Sequence, residues 1–102
     1  MIEKIKRCFE ENRVYYTQHT RQEMREEVTV ITEREICQAI ENGECIKDYP
    51  DDQPYPSMLI FGKSNRPLHV VCAYCEEDDI SIVVTTYEPD PEEWIDFKRR
   101  RR

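Results

Sequence analysis

No run of apolar residues in this chain comes near the roughly 18 that a membrane-spanning helix needs, and no secretory leader opens it. A soluble, cytoplasmic protein is the expectation. Nothing repeats, and no second domain is visible in 102 residues, which suit one domain spanning 1–102. The five cysteines are an odd number, and without a secretory signal they read as reduced thiols, mostly small core residues. Basic charge is also scarce. Fifteen Lys and Arg face 22 Asp and Glu, for a net charge of −7, and residues 98–102 hold five of the fifteen. An acidic body with a basic tail, expected to trail off as a disordered end, argues against broad electrostatic binding to nucleic acid. It leaves room for a local basic pocket.

What the chain does have is centred on residues 67–90. The runs L-H-V-V-C-A-Y-C and I-S-I-V-V-T-T-Y are rich in β-branched and aromatic residues, and a short acidic turn joins them. Both runs are apolar on both alternating faces, which places this hairpin at the centre of a sheet. His69 and Tyr87 are the polar exceptions, and polar groups there must be hydrogen-bonded or serve chemistry.

Upstream, Ile2, Ile5, Cys8 and Phe9 have helical spacing, followed by a brief extended piece at residues 15–17. Thr17 can cap a short second helix carrying His19, Arg21, Met24 and Arg25, with Thr20-x-x-Glu23 as a competing cap. Thr32-x-x-Glu35 is a capping box, and Ile31 and Ile36 form a hydrophobic staple around it. Ile36, Ala39 and Ile40 give that third helix a buried stripe. Asn42-Gly43 ends it, with Gly43 free to turn left-handed. Strands are expected over 44–49 and 57–63, around a proline-rich acidic loop. Asp90-Pro91-x-Glu93 reads as the start of a short C-terminal helix pinned by Trp94 and Phe97. The fold class is α+β: N-terminal helices on one face of a roughly four-stranded antiparallel sheet, with the other face open for function.

The spacing of His69, Cys72 and Cys75 invites a zinc site. On a strand His69 and Cys75 face one way and Cys72 the other, so the three do not converge, and no metal or other cofactor is assigned.

Taken together, Y-Y-T-Q-H-T-R-Q-E-M, E-I-C-Q-A-I-E-N-G-E-C-I-K-D-Y-P-D-D-Q-P-Y-P-S, R-P-L-H-V-V-C-A-Y and T-T-Y-E-P-D-P-E-E-W closely resemble the prokaryotic family called domain of unknown function 4258. That family resembles toxins of the RelE, ParE and MqsR kind. The resemblance implies a compact ribonuclease-like α+β domain, RNA as substrate, and a small zinc-finger antitoxin of the MqsA type as cognate partner. Glu26-Glu27-Val28 departs from the family pattern, where a basic residue, a glycine and an apolar residue often stand.

Metal-independent RNA cleavage needs proton acceptors and donors and a cation for the phosphate. Histidine suits the first roles and arginine the last. The candidates are His19 and His69 as acid and base, Tyr87 to orient or stabilise, and Arg66 with Arg21 or Arg25 for the phosphate. Tyr49 and Tyr55 flank the proline loop and could stack on bases. The chain then reads as a toxin-type endoribonuclease. Its rival is a non-catalytic interaction module whose open sheet face binds a protein. The catalytic reading requires His69 and Tyr87 on one sheet face, through a three-residue hairpin connection or a bulge that restores that register. It also requires His19 and Arg66 to border the same open pocket. A sealed His69 would remove that site.

Overall fold

Thr32 starts a helix as its sequence demands. Its side chain accepts from the Glu35 N–H at 3.2 Å, while the Glu35 carboxylate accepts from the Thr32 N–H at 3.2 Å, completing the capping box. The helix it opens, α3 (Glu33–Glu41), buries Ile36, Ala39 and Ile40. Before it come α1 (Ile2–Glu10), β1 (Val14–Tyr16) and α2 (Gln18–Glu26). Thr17 caps α2 by accepting from Thr20 N–H, so the rival capping box at Thr20 does not form. After α3 come β2 (Glu44–Tyr49), β3 (Ser57–Lys63), β4 (Pro67–Cys75) and β5 (Ile80–Tyr87), at the expected positions. Residues 1–101 are described in this computed structural model.

Gly43 differs from expectation. It does not take a positive φ. It is needed for close approach instead, because a Cβ there would stand 2.6 Å from both the Ala39 carbonyl oxygen and Ile60 Cγ2. Asn42 closes the helix with its side chain, which donates to the Gln38 and Lys63 carbonyls and accepts from Lys63 N–H.

The architecture is α+β, with the strands in the order β1-β5-β4-β3-β2. The expected four antiparallel strands are present, but the sheet is five-stranded and mixed, because β1 runs parallel to β5. The added strand is held from both ends. Arg7 and Arg13 at 3.3 and 2.5 Å grip Asp79 in the β4–β5 turn, and Ser81 N–H donates to Arg13 C=O. Where β1 stops, α2 takes over the β5 edge. Thr17 N–H and Thr20 Oγ1 donate to Val83 C=O, and Thr86 N–H and Glu88 N–H donate to Glu23 and Glu27. Side chains thereby occupy edge groups that would otherwise recruit another strand.

The C-terminal helix is absent. Asp90 C=O accepts from Glu93 and Trp94 N–H in a single turn, and the chain then forms a ribbon of β6 (Trp94–Ile95) and β7 (Arg99–Arg100). Asp96 and Phe97 make the reversal with φ of 53° and 62°. So short a segment gains little as an isolated helix, and the ribbon lets Trp94 and Phe97 both reach the sheet. The expected basic tail is therefore partly ordered: Arg99 and Arg100 are strand residues, and Lys98 pairs with Glu44 at 2.9 Å. Arg102 lies outside the described residues. No helix among the described residues is long and apolar enough to cross a membrane.

Candidate functional site

Residues directly opposite each other in a sheet share a face. On β3 and β4 the rows Met58–Cys72, Ile60–Val70 and Gly62–Leu68 lie under the helices, where Met58, Ile60, Leu68, Val70 and Cys72 belong to the main core. The alternate rows, Leu59–Val71 and Phe61–His69, lie on the other face.

Two β-bulges decide what flanks those rows. In β5, Val83 pairs with Cys72 but Thr85 pairs with Val71 and Tyr87 with His69. Val83 and Tyr87 are four apart and would share a face in a regular strand. The extra residue between them moves Thr85 and Tyr87 to the helix-free face. The hairpin thus uses the four-residue connection, with Cys75 opposite Ile80, and the bulge restores the His69–Tyr87 pair. In β2 the same thing happens. Cys45 pairs with Ile60, yet Lys47 pairs with Leu59 and Tyr49 with Ser57. A bulge at Ile46 brings Lys47 and Tyr49 to the helix-free face.

These residues and the ribbon enclose a groove of about 380 Å³. Tyr49, Tyr87 and Trp94 supply aromatic surface, Ile46 and Leu59 the apolar floor, and Lys47, Lys98, Arg99 and Arg100 four cations. Two cations are loosely engaged, Lys98 with Glu44 and Arg100 with Glu93 at 3.0 Å. Arg100 also lies 5.5 Å from the Trp94 ring centre, and Lys47 5.6 Å from that of Tyr49. Exposed pairs of this kind contribute about 1 kcal/mol or less, so a polyanion competes with them readily.

Behind the groove wall sits His69, fully buried. Phe61, Tyr87 and Trp94 meet its ring edge-on, at centroid distances of 6.0, 5.2 and 4.5 Å. Its Nε2 lies 2.5 Å from the Phe97 carbonyl oxygen, and its Nδ1 lies 3.1 Å from Tyr87 Oη. Burial lowers its pKa below the usual histidine value, outweighing the contrary pull of the Phe97 carbonyl. Burial raises that of Tyr87, with further pushes from Tyr49 and the Glu93 and Glu23 carboxylates, against which Arg100 acts. Both side chains are therefore neutral near pH 7.

The other expected site residues lie elsewhere. His19 is exposed on α2, with Nε2 3.4 Å from a Glu23 oxygen; the other Glu23 oxygen accepts from Thr85 Oγ1. That places His19 at the sheet edge and not in the groove. Arg21 pairs with Glu33 at 3.1 Å and stacks near Tyr16, and Arg25 is exposed on the same helix. Arg66 is a structural clamp. Nε and Nη2 grip Glu35 at 2.9 and 3.1 Å, and the remaining donors reach Thr29 C=O, Val30 C=O and Glu88. All its N–H directions are used, which ties the 27–31 loop to α3 and leaves no fork for a phosphate. The bond from Arg66 is also the main reason that the Glu35 carboxyl sits below its ordinary pKa. His19, His69 and Arg66 thus border no common pocket among the described residues. His69 is sealed from direct contact with a ligand, and only Tyr87 of the six candidates lines the groove. Tyr55 packs at a different cleft with Lys4 and Tyr74.

Lys47, Trp94, Lys98, Arg99 and Arg100 escape a reading of motifs. Lys98, Arg99 and Arg100 are signalled only by the basic run, Trp94 only as the pin of an expected helix, and Lys47 needs the bulge to reach this face.

The family described as Domain of unknown function (DUF4258) matches residues 16–88. The chain belongs to that family. No curated protein and no solved structure matches it. The family match ends at the close of β5, so the ribbon that completes the groove lies beyond the matched residues.

Proposed function

We propose that this is an RNA-acting domain of the toxin type, seating single-stranded RNA in the groove between β2, β5 and the C-terminal ribbon. One observation carries the reading: four cations and three aromatic side chains converge on the one sheet face without helices, in a chain whose net charge is −7. Aromatic rings stack on unpaired bases and nearby cations hold the phosphates, a combination suited to single strands. Endoribonuclease activity, which the likeness to RelE-type toxins implies, would then work from Tyr87 and the groove cations. A His19–His69 pair would have no part in it. Its setting would be the cytoplasm, with RNA as substrate and an antitoxin as the partner that covers this face.

The test is fluorescence anisotropy with a labelled single-stranded RNA across a salt series. Arg99→Ala/Arg100→Ala should weaken binding and flatten the salt dependence by about 1.4 in log–log slope, as two lost phosphate contacts predict. The same RNA incubated with the protein in a chelator reports cleavage. Unchanged affinity in the double variant would remove the groove from RNA binding.

A specific observation favours the rival reading of a non-catalytic interaction module. Val28 and Val30 are exposed on the loop that Arg66 clamps, a rigid apolar display without a covering element. That reading stands if purified protein neither binds nor cleaves RNA.

A further inference from the structure

The hydrogen bonds behind the groove wall fix where one proton sits. A backbone carbonyl only accepts, so the Phe97 oxygen at 2.5 Å requires the proton of neutral His69 to be on Nε2. His69 Nδ1 is then an acceptor, and Tyr87 Oη at 3.1 Å must donate to it. The Tyr87 hydroxyl has one proton and has given it to the interior. Tyr87 lines the groove, and lone pairs are all that its hydroxyl has left to offer there. Phe97 and Trp94 hold this arrangement from the ribbon, and the β5 bulge holds it from the sheet.

Resting on the proposed function, we infer that Tyr87 is a specificity-determining residue that accepts a hydrogen bond from the ribose 2′-hydroxyl, so that the groove prefers RNA to DNA of the same base order. A nucleic acid offers three classes of group here. Phosphate oxygens only accept, and an acceptor-only tyrosine does not bind them; the four cations do. Base edges differ from one nucleotide to the next. The 2′-hydroxyl is a donor present at every ribonucleotide and absent from every deoxyribonucleotide, and it is what lets a protein distinguish the two. Tyr87 thus divides the labour with its neighbours: cations hold the backbone, Tyr49 and Trp94 stack, and Tyr87 reads the sugar.

Anisotropy with matched single strands tests this on the full chain. The probes are an RNA, its 2′-deoxy counterpart and its 2′-O-methyl counterpart, which has lost the donor. The RNA should bind about tenfold more tightly than either analogue, the effect of one hydrogen bond. Tyr87→Phe should bring RNA down to the level of DNA and leave DNA binding where it was. Arg99→Ala/Arg100→Ala should weaken all three strands alike. Independently of any ligand, nitrogen chemical shifts of His69 should show Nε2 protonated and Nδ1 bare. Equal binding of RNA and DNA by the unaltered chain, equal losses for both in Tyr87→Phe, or the opposite His69 tautomer would each overturn the assignment of Tyr87 while leaving the groove as a binding site. Absence of binding to every strand, or indifference to the double arginine change, would overturn the groove and this inference together.

Discussion

The two faces of β3 and β4 carry alternate residues of the same strands and have become different materials. Under the helices, Ile60, Leu68, Val70 and Cys72 are fully buried and apolar. On the other face, the row Phe61–His69–Tyr87 is aromatic and hydrogen-bonded, and its neighbours on β2 and β5 end in Lys47, Tyr49 and Thr85. The helical face accepts only close packing. Burial there raises the Cys72 thiol pKa to about 12, so it behaves as a small apolar group. The other face is finished by a ribbon only two residues wide at each strand and keeps an opening. The lesson is that strand alternation alone did not produce this division. Each flanking strand needed one extra residue to bring its polar side chains to the helix-free side.

The sharpest way to break that contrast is Gly62→Ala. A Cβ at Gly62 would stand 1.8 Å from the Ala39 carbonyl oxygen and 2.6 Å from its carbon, both backbone atoms of α3. The helix cannot retreat without unseating Ile36 and Ile40. Urea denaturation should show a loss of about 3 kcal/mol or more. A loss under about 1 kcal/mol would mean that α3 is not seated as tightly as its contacts indicate.

A second, smaller effect separates structure from ligand binding at Arg66. Its side chain is mostly buried and bonded to Glu35, Glu88 and two carbonyls of the 27–31 loop. Arg66→Ala strands those acceptors and should cost about 3 kcal/mol. Arg66→Lys should recover little, because an ammonium cannot reproduce the planar fork. RNA affinity of the folded variant should not change. Retained stability with lost RNA affinity would return Arg66 to the phosphate.

Much of this fold was legible because its signals are local. The capping box at Thr32, the stripe of Ile36, Ala39 and Ile40, and the four central strands each announce themselves within a few residues. The misses share a cause. Docking of β1 beside β5 is set by Asp79, more than sixty residues from Arg13. The ribbon turn uses Asp96 and Phe97 at positive φ, without the glycine that would advertise it. The bulges leave no composition mark at Ile46 or Val84. At the site, His69 and Tyr87 were legible as a pair, since polar residues on a central hairpin require partners. The burial of His69 was not, because the residues that cover it, Trp94 and Phe97, read in the sequence as parts of a helix. The Arg66 clamp is illegible for a related reason: its five acceptor atoms come from α3, a loop and Glu88 just past β5, and no spacing rule gathers them.

The smallest expected effect is a pH dependence that belongs to His69. His69 has a folded-state pKa below the ordinary value of 6.5, with burial as the cause. The unfolded chain therefore binds more protons than the folded one as pH falls past about 6.5, and stability decreases with each step towards the folded-state pKa. The stabilising contribution of neutral His69 is fully present above pH 6.5 and is withdrawn below it. Glu35 adds a separate loss at more acidic pH. Its pKa is lowered from 4.5, chiefly by the Arg66 hydrogen bond, so its contribution is present above 4.5 and is lost as pH falls through the depressed value. Thermal melts between pH 7.5 and 5, a range set around these ordinary values, should show Tm falling on the acid side of 6.5. His69→Gln keeps a hydrogen-bonding side chain behind Tyr87 without a titrating ring, and should flatten the same segment of the curve. If the acid-side fall instead persists undiminished in His69→Gln, the burial of His69 beneath the ribbon is wrong, and with it the proton arrangement that leaves Tyr87 with lone pairs for the groove.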